Sequence, residues 1–573
     1  MHPSETLVFI LTVLNSLIIL RPLQGLHNDS RQAKHDVFIS KPIGCGAQAP
    51  LAPGGSRLCV NIDTCLMNPS ITNRGWKAFL SWEKAAAALL ILSGATLRIR
   101  QYLTGRSLWA DEAMLALNVV GRDFAGMFKP LDYDQGAPVG FLLVEKLFNV
   151  LLGKHEFALR LFPLLVGLGS LWLFYLLLKR MTSGPGVLVP LALFALNPRL
   201  IYYSSEVKQY ILDVALTVLM LWVAAPALAG TPRKREIIGL TLAGLIALWF
   251  SHPALFVLGG IGLALVIMAL KRRDTSSLRF IVGMGVLWLL NIAFLYLLIL
   301  KDLSQNAYMR EYWQGAFLPL PPWSDPGWFA KSLNENIGIQ FGIPYAVYLV
   351  FFLMLVGWVM LWFHQRGVAI AIASILLVTL VASALQIYPA FERMILFLVP
   401  IGLVLVGKAV EAFHQRVQRF STLGTLAVLF LAGYLLYGPF VTSIQNFVEP
   451  KYFEHIRPTM ATLRDAWKDG DALYVSNGAL PAFRFYAPFY GLEKISYDFG
   501  RREDYKNPQD ILRQLDSRKG QPRLWILLSH VYEKENFNER EYVLNYLNET
   551  GEKKREFRVP GTSVFLYLYD LGN

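Results

Sequence analysis

Cysteine is almost missing from this chain. Its 573 residues hold three, Cys45, Cys59 and Cys65, all in the N-terminal arm. The count is odd and no metal-ligand spacing occurs, so neither a disulfide framework nor a zinc site follows. Charge is scarce too: Asp, Glu, Lys and Arg make up 17%, against about a quarter in soluble domains. There is no G-x-x-x-x-G-K-[ST] loop, the phosphate cradle of an ATP-driven pump. No clear internal repeat emerges, although inverted repeats are what a secondary transporter is expected to show.

What is present in excess is apolar. Hydrophobic residues reach 54%, and the mean hydropathy is +0.41. That balance implies an all-α polytopic membrane protein. Trp and Tyr near the ends of apolar runs fit interfacial belts. The net charge is +13. Much of the basic excess lies in short loops between spans, which points to orientation and lipid headgroups and not to nucleic acid.

Eleven spans are expected, near 78–97, 157–178, 186–203, 207–228, 237–252, 253–270, 279–300, 344–363, 367–386, 391–408 and 422–441. Residues 1–76 read as an N-terminal extension, mostly disordered, with a short apolar run at 6–20. Lys179-Arg180, Arg233-Lys234-Arg235, Lys271-Arg272-Arg273, Arg366 and Arg416/Arg419 mark every second connection. The positive-inside rule makes these cytoplasmic. A plasma (inner) membrane protein follows, with the N-terminus of its core (77–445) cytoplasmic. Loops 98–156 and 301–343 and residues 446–573 then lie outside. In the first loop, 111–121 and 139–152 have helical periodicity but are too short or too charged to span. Residues 446–573 mix strand patterns (DALYVSNG, RLWILLSH, SVFLYLYD) with helical ones (PQDILRQLDS, EREYVLNYLNE), as a soluble extracytoplasmic α/β domain would.

The chemistry-bearing stretch is SLWADEAMLALNVV, residues 107–120. Asp111 and Glu112 stand just past a span, in a loop that also carries Arg98, Arg100, Arg106, Arg122, Lys129, Lys146, Lys154 and Arg160. A carboxylate there can take a proton from an attacking alcohol. Several cations around it suggest a bound anion, and a phosphate held by Arg suits that description. Spacing leaves a second reading open, with Asp111 as helix cap and Glu112 favouring the helix's positive end. Asp134 and Gln135, in KPLDYDQGAPVGF, can orient an acceptor, or belong to a plain turn. Tyr203, Glu206, Lys208 and Tyr210, in NPRLIYYSSEVKQY, can meet sugar or phosphate, or form an aromatic belt with a snorkelling Lys. His252 lies at an outer turn, where packing is the commoner role. Arg393 opens a span and suits a lipid phosphate, unless it only pairs with Glu392.

These motifs resemble the GT-C glycosyltransferases. The nearest branch is the bacterial one of protein O-mannosyltransferases, aminoarabinose transferases and lipopolysaccharide-core sugar transferases. SLWADEAMLALNVV resembles the first-loop Asp-Glu motif, NPRLIYYSSEVKQY the P-x-x-x-Y-x-x-E-x-K/R-x-Y turn, and YPAFERMILFLVP the late span-opening Arg. The resemblance covers about residues 78–445. It implies a polyprenyl-phosphate sugar donor and inverting transfer at the outer face to an acceptor glycan, lipid or protein. Asp111 would be the catalytic base and Glu112 its neighbour, with Lys208 and Arg393 on the donor phosphate. Some such enzymes use a divalent cation and others do not, so the cofactor stays open and no metal ligands are assigned. The segment YDQGAPVGF has Ala137 where aminoarabinose transferases carry Lys, a departure from that donor's pattern. A transporter or flippase, a polysaccharide polymerase or ligase, and an external scaffold remain the other classes.

Overall fold

Inside a bilayer the backbone has no solvent partner, so spanning segments must close their own hydrogen bonds as helices. The computed structural model describes residues 69–534 and 537–572. The three cysteines and the apolar run 6–20 lie outside the described residues. Within the described residues a helix already runs from Pro69 to Leu103.

Among the described residues eight helices are long and apolar enough to cross a membrane, and this is a multi-pass membrane protein. They are Glu156–Met181, Tyr210–Ala229, Ala254–Arg272, Thr275–Ser304, Pro344–His364, Arg366–Ala384, Glu392–Phe420 and Thr422–Val448. The three other expected spans are helical without being among those eight. One is Pro69–Leu103, and one is Lys234–Phe250, of 17 residues. The third, expected as one helix over 186–203, is two: Pro185–Leu196 and Pro198–Tyr203. Asn197 explains the break. Its side chain accepts hydrogen bonds from Arg199 and Leu200 N–H, capping a new helix that Pro198 opens. The expected break at Ser251-His252-Pro253 is also present, between Lys234–Phe250 and Ala254–Arg272.

The helices approach closely where side chains are smallest. At Gly357 a Cβ would stand 1.9 Å from the Leu405 carbonyl oxygen, and at Gly260 2.4 Å from Ile375 N. Only glycine lets these helix pairs pack at that distance, the usual device where the hydrophobic effect cannot drive helix association.

At one end of the bundle the first loop folds into helices Ala110–Gly121 and Val139–Leu152, close to the limits expected. Against them sits a five-stranded sheet of order β2-β1-β3-β7-β6, with β1 Ala472–Val475, β2 Asp498–Phe499, β3 Leu524–Leu528, β6 Glu552–Arg558 and β7 Phe565–Asp570. β4 (Glu533–Lys534) and β5 (Phe537–Asn538) pair separately. β1 is parallel to both β2 and β3, whereas β7 runs antiparallel to β3 and β6. Alternate residues of a strand face opposite sides. Leu473, Trp525 and Leu566 therefore join Leu108, Leu115 and Phe141 of the first loop in one apolar core. Tyr474, Ile526 and Tyr567 pack on the other side with Ile511, Val543 and Leu547 of the domain's own helices. The sheet and the loop are thus one folded body, and residues 69–573 form a single compact unit.

Candidate functional site

Consecutive residues of a helix point about 100° apart, so Asp111 and Glu112, in the first turn of Ala110–Gly121, meet different surroundings. Glu112 turns inward and is wholly buried. Its Oε2 lies 2.8 Å from Arg106 Nη1 and 2.6 Å from Arg160 Nη2. Its Oε1 accepts from Arg160 Nε and from Val207 N–H, each at 2.9 Å. Burial opposes ionisation here, but the two guanidiniums outweigh it and hold the carboxyl below its ordinary range. With both oxygens taken, Glu112 is an anchor joining the first loop to the 204–209 turn.

Asp111 faces a cavity of about 170 Å³. Lys208 Nζ lies 3.0 Å from its Oδ1, and Arg393 Nη2 lies 3.3 Å from its Oδ2. Burial raises the carboxyl, yet these two cations prevail and keep it low. Oδ2 accepts no hydrogen bond from any described residue. A buried lone pair without a donor is uncommon and needs a reason. Asp111 is not the helix cap. The N-cap is Trp109, without a side-chain bond, and it is Glu454 whose Oε2 accepts the Ala110 N–H at 2.8 Å.

The other expected residues divide. Gln135 accepts from Lys208 Nζ at 2.6 Å and so aims the ammonium. Arg393 makes no ion pair with Glu392. It pairs with Asp111 and lies over the rings of Trp109, Tyr210 and Trp313, 5.6–5.8 Å from their centroids. Tyr210 lines the Asp111 cavity. Tyr203 and Glu206 line a second cavity of about 380 Å³, with Glu335, Glu392 and Glu454. The two cavities share Trp109 and Arg393 as a wall. Glu206 Oε1 accepts from Trp109 Nε1 at 2.9 Å, while Oε2 has no partner among the described residues. Burial, reinforced by Glu112 nearby, pushes Glu206 up from its ordinary value. Asp134 lies at the rim, bonded to Arg502 Nη1 at 2.5 Å and Asn306 Nδ2 at 2.8 Å. His252 is not brought to either cavity. It lies in a pocket with Pro138, Val139, Trp249 and Leu300, the packing role of a turn histidine.

The first loop's cations are mostly spent internally. Arg106 and Arg160 serve Glu112. Arg98 donates to the Gly94, Ala195 and Phe194 carbonyls. Arg122 holds Asp132, and Lys146 holds the Val119 carbonyl. The anion that this loop's charge implies is in large part its own Glu112.

Residues that sequence reasoning missed come from the last quarter of the chain. Besides Glu454, His455 Nδ1 accepts the Ser107 N–H at 3.2 Å, and the Tyr486 hydroxyl accepts the Leu108 N–H at 2.9 Å. Arg502 and His530 line the Asp111 cavity. His530 Nδ1 is 2.7 Å from Glu454 Oε1, a bond that raises the imidazole's pKa. No periodicity or spacing signals contacts across more than 340 positions. Among the described residues no three His, Cys, Asp or Glu side chains converge as a cation site. Asp111 and Asp134, the carboxylates nearest the cavity, are each held by cationic side chains, a donor set that does not fit a resident divalent ion.

No family model matches the chain, and no curated protein matches it in sequence. Solved structures similar in fold include ArnT from Cupriavidus metallidurans in the apo state, at TM-score 0.48 and 15% identity over 84% of this chain and 98% of that one. ArnT from the same organism bound to undecaprenyl phosphate gives 0.47 and 13% over the same shares. The archaeal oligosaccharyltransferase AglB from Archaeoglobus fulgidus, in complex with an inhibitory peptide and a dolichol-phosphate, gives 0.47 and 11% over 78% and 69%.

Proposed function

We propose that this chain is a glycosyltransferase that moves a sugar from a polyprenyl-phosphate donor to an acceptor hydroxyl, with inversion, at the outer face of a plasma (inner) membrane. The observation that carries this reading is Asp111 Oδ2: a buried carboxylate oxygen with no hydrogen-bond donor, in a cavity flanked by Lys208 and Arg393.

The acceptor oxygen attacks the anomeric carbon as the bond from that carbon to the phosphate oxygen breaks. The bonding pair leaves with the phosphate, whose charge rises by one. The acceptor's proton passes to Asp111 Oδ2 and from there to solvent. Lys208 and Arg393 take up the new negative charge. No general acid is needed, because a phosphate leaves as a stable anion. A donor phosphate drawn to the two cations also loosens their hold on Asp111. The carboxylate becomes a stronger base when the donor is seated, and stays ionised and inert otherwise. Trp109, Tyr308, Tyr312 and Trp313 line the cavity and suit a sugar ring's apolar faces. The acceptor approaches through the adjoining cavity, where Glu206, Glu335 and Glu392 can accept hydrogen bonds from hydroxyls.

The test is Asp111→Asn. In cells lacking the chain, lipid-linked sugars are expected to accumulate. The variant, inserted at normal level, should leave them accumulated, with turnover down about 10²–10⁴-fold. Wild-type turnover by Asp111→Asn would overturn the assignment.

A further inference from the structure

Beside the acceptor-side cavity lies a third, of about 350 Å³, which the reaction above does not use. It sits where the C-terminal ends of helices Pro69–Leu103 and Ser421–Val448 meet the short helix Pro198–Tyr203. Arg100, Arg199 and Lys451 line it, and no Asp or Glu does. None of the three makes an ion pair with a described residue, whereas most of the first loop's other cations are engaged. Two neutral groups also await a partner. Gln101 is nine-tenths buried and lines the groove, and its side-chain amide has no hydrogen bond among the described residues. Asn446 Oδ1 is buried there without a donor. Leu97, Ile201 and Phe447 make an apolar wall, and Arg100 lies over the Phe447 ring at 5.8 Å from its centroid.

We infer that this groove binds the phosphate headgroup of an anionic membrane lipid. Three cations that make no ion pair, two of them (Arg100 and Lys451) lining this groove alone, attract a net anion at the end of the helices. Two amides supply donors and acceptors for ester and hydroxyl oxygens. Phe447 of that wall is itself exposed, and so is Phe440, two turns earlier on the same face of Ser421–Val448, so the apolar wall continues along that helix. That continuity selects an amphiphile over free phosphate. The groove shares Arg199, Tyr202 and Phe453 with the acceptor-side cavity, so a lipid seated here borders it directly. Binding does not depend on the transferase reading, and the experiment needs no turnover.

The full chain, purified in detergent, is incubated with phosphatidylglycerol or phosphatidylcholine, and retained lipid is counted by native mass spectrometry. Wild type should retain phosphatidylglycerol at least tenfold more tightly. Arg100→Gln and Lys451→Gln should each weaken that preference about fivefold, the share of one surface cation. Lys451 is exposed, so its variant is expected to fold, and melting temperature checks both. A second measurement uses wild type alone: retention of phosphatidylglycerol should fall steeply with added salt and that of phosphatidylcholine should not. Equal retention of the two lipids, salt-independent retention, or displacement by inorganic phosphate at concentrations equal to those of the lipid would each overturn the inference. Asp111→Asn should retain phosphatidylglycerol as wild type does, which separates this outcome from failure of the transfer mechanism.

Discussion

Replacing Glu112 by Gln separates an anchoring carboxylate from a reacting one. In the native fold Glu112 accepts four close contacts, from Arg106, Arg160 and Val207, with no exposure to solvent. Gln has the same shape, but its NH₂ group donates. Whichever way it is turned, donors face donors at 2.6–2.9 Å on one side. Two guanidiniums, 5% and 2% exposed, also lose their counter-charge. Removing one partner of a buried ion pair costs about 3–5 kcal/mol, and the clash puts Glu112→Gln toward the upper end. The assay is thermal unfolding of the purified chain in detergent, followed by Trp fluorescence, beside Asp111→Asn. Asp111 has only two cationic contacts, at 3.0 and 3.3 Å, and faces a cavity, and the amide oxygen that replaces its carboxylate still serves Lys208, so Asp111→Asn should lose less than Glu112→Gln. The expected pattern is a melting temperature several degrees lower for Glu112→Gln and a smaller drop for Asp111→Asn. A Glu112→Gln protein that melts like wild type yet transfers no sugar would refute the anchoring role and make Glu112 a reacting group.

Lys208→Gln should move the acid limb of kcat/KM upward by about one to three pH units. The depressed Asp111 pKa keeps the base ionised until pH falls through it, and loss of the ammonium at 3.0 Å lifts that point; an unmoved limb would detach Lys208 from the base. Glu206 has a raised pKa, so its contribution to stability is full below the ordinary carboxylate range and is lost as pH rises through the folded value. Glu206→Gln should therefore melt higher than wild type at pH 8 and alike at pH 4, by about 1.4 kcal/mol per pKa unit; parallel melting at both would contradict a buried, strained carboxyl. Arg502→Ala breaks a half-exposed pair with Asp134 and should change stability by about 1 kcal/mol or less. It should raise KM while kcat holds, because the rim that Asp134, Asn306 and Arg502 tie together loosens. An unchanged KM would make that contact incidental.

Much of the architecture was written in local pattern. Hydropathy marks the spans, and the helix at Ala110–Gly121, the strands β1, β3 and β7, and the helices at 509–516 and 539–550 fall where alternation or helical spacing puts them. β6 was hidden because EKKREFR is charged at nearly every position and mostly exposed, so it shows no buried face. The Asn197-Pro198 dipeptide did announce a break, but the apolar count on both sides masked it. In the site, Asp111, Gln135, Lys208 and Arg393 were legible as polar residues at span ends, and the fold brings them within contact of one another. The role of Glu112 was not legible. Its partners Arg106 and Arg160 looked like ligands for an outside anion, since a sequence does not tell a cation facing inward from one facing a cavity. His252, for which packing was the commoner expectation at a turn, lies away from both cavities, as a turn at the right end of the bundle need not face the right cavity.

The site takes its parts from both ends of the chain. Glu454, His455 and Tyr486 fix the loop before Asp111, and Arg502 and His530 close the cavity that Asp111 faces. A ribosome makes Asp111 hundreds of residues before it makes its enclosure. During synthesis the spans can enter the bilayer one by one with Asp111 already in place, yet the chamber stays unwalled until β3 and the turn after it have folded down. The enclosure thus arrives last, with the final stretch of polypeptide, and a chain stopped after its last span would be inserted with Lys208 and Arg393 present, without Arg502 and His530, and open.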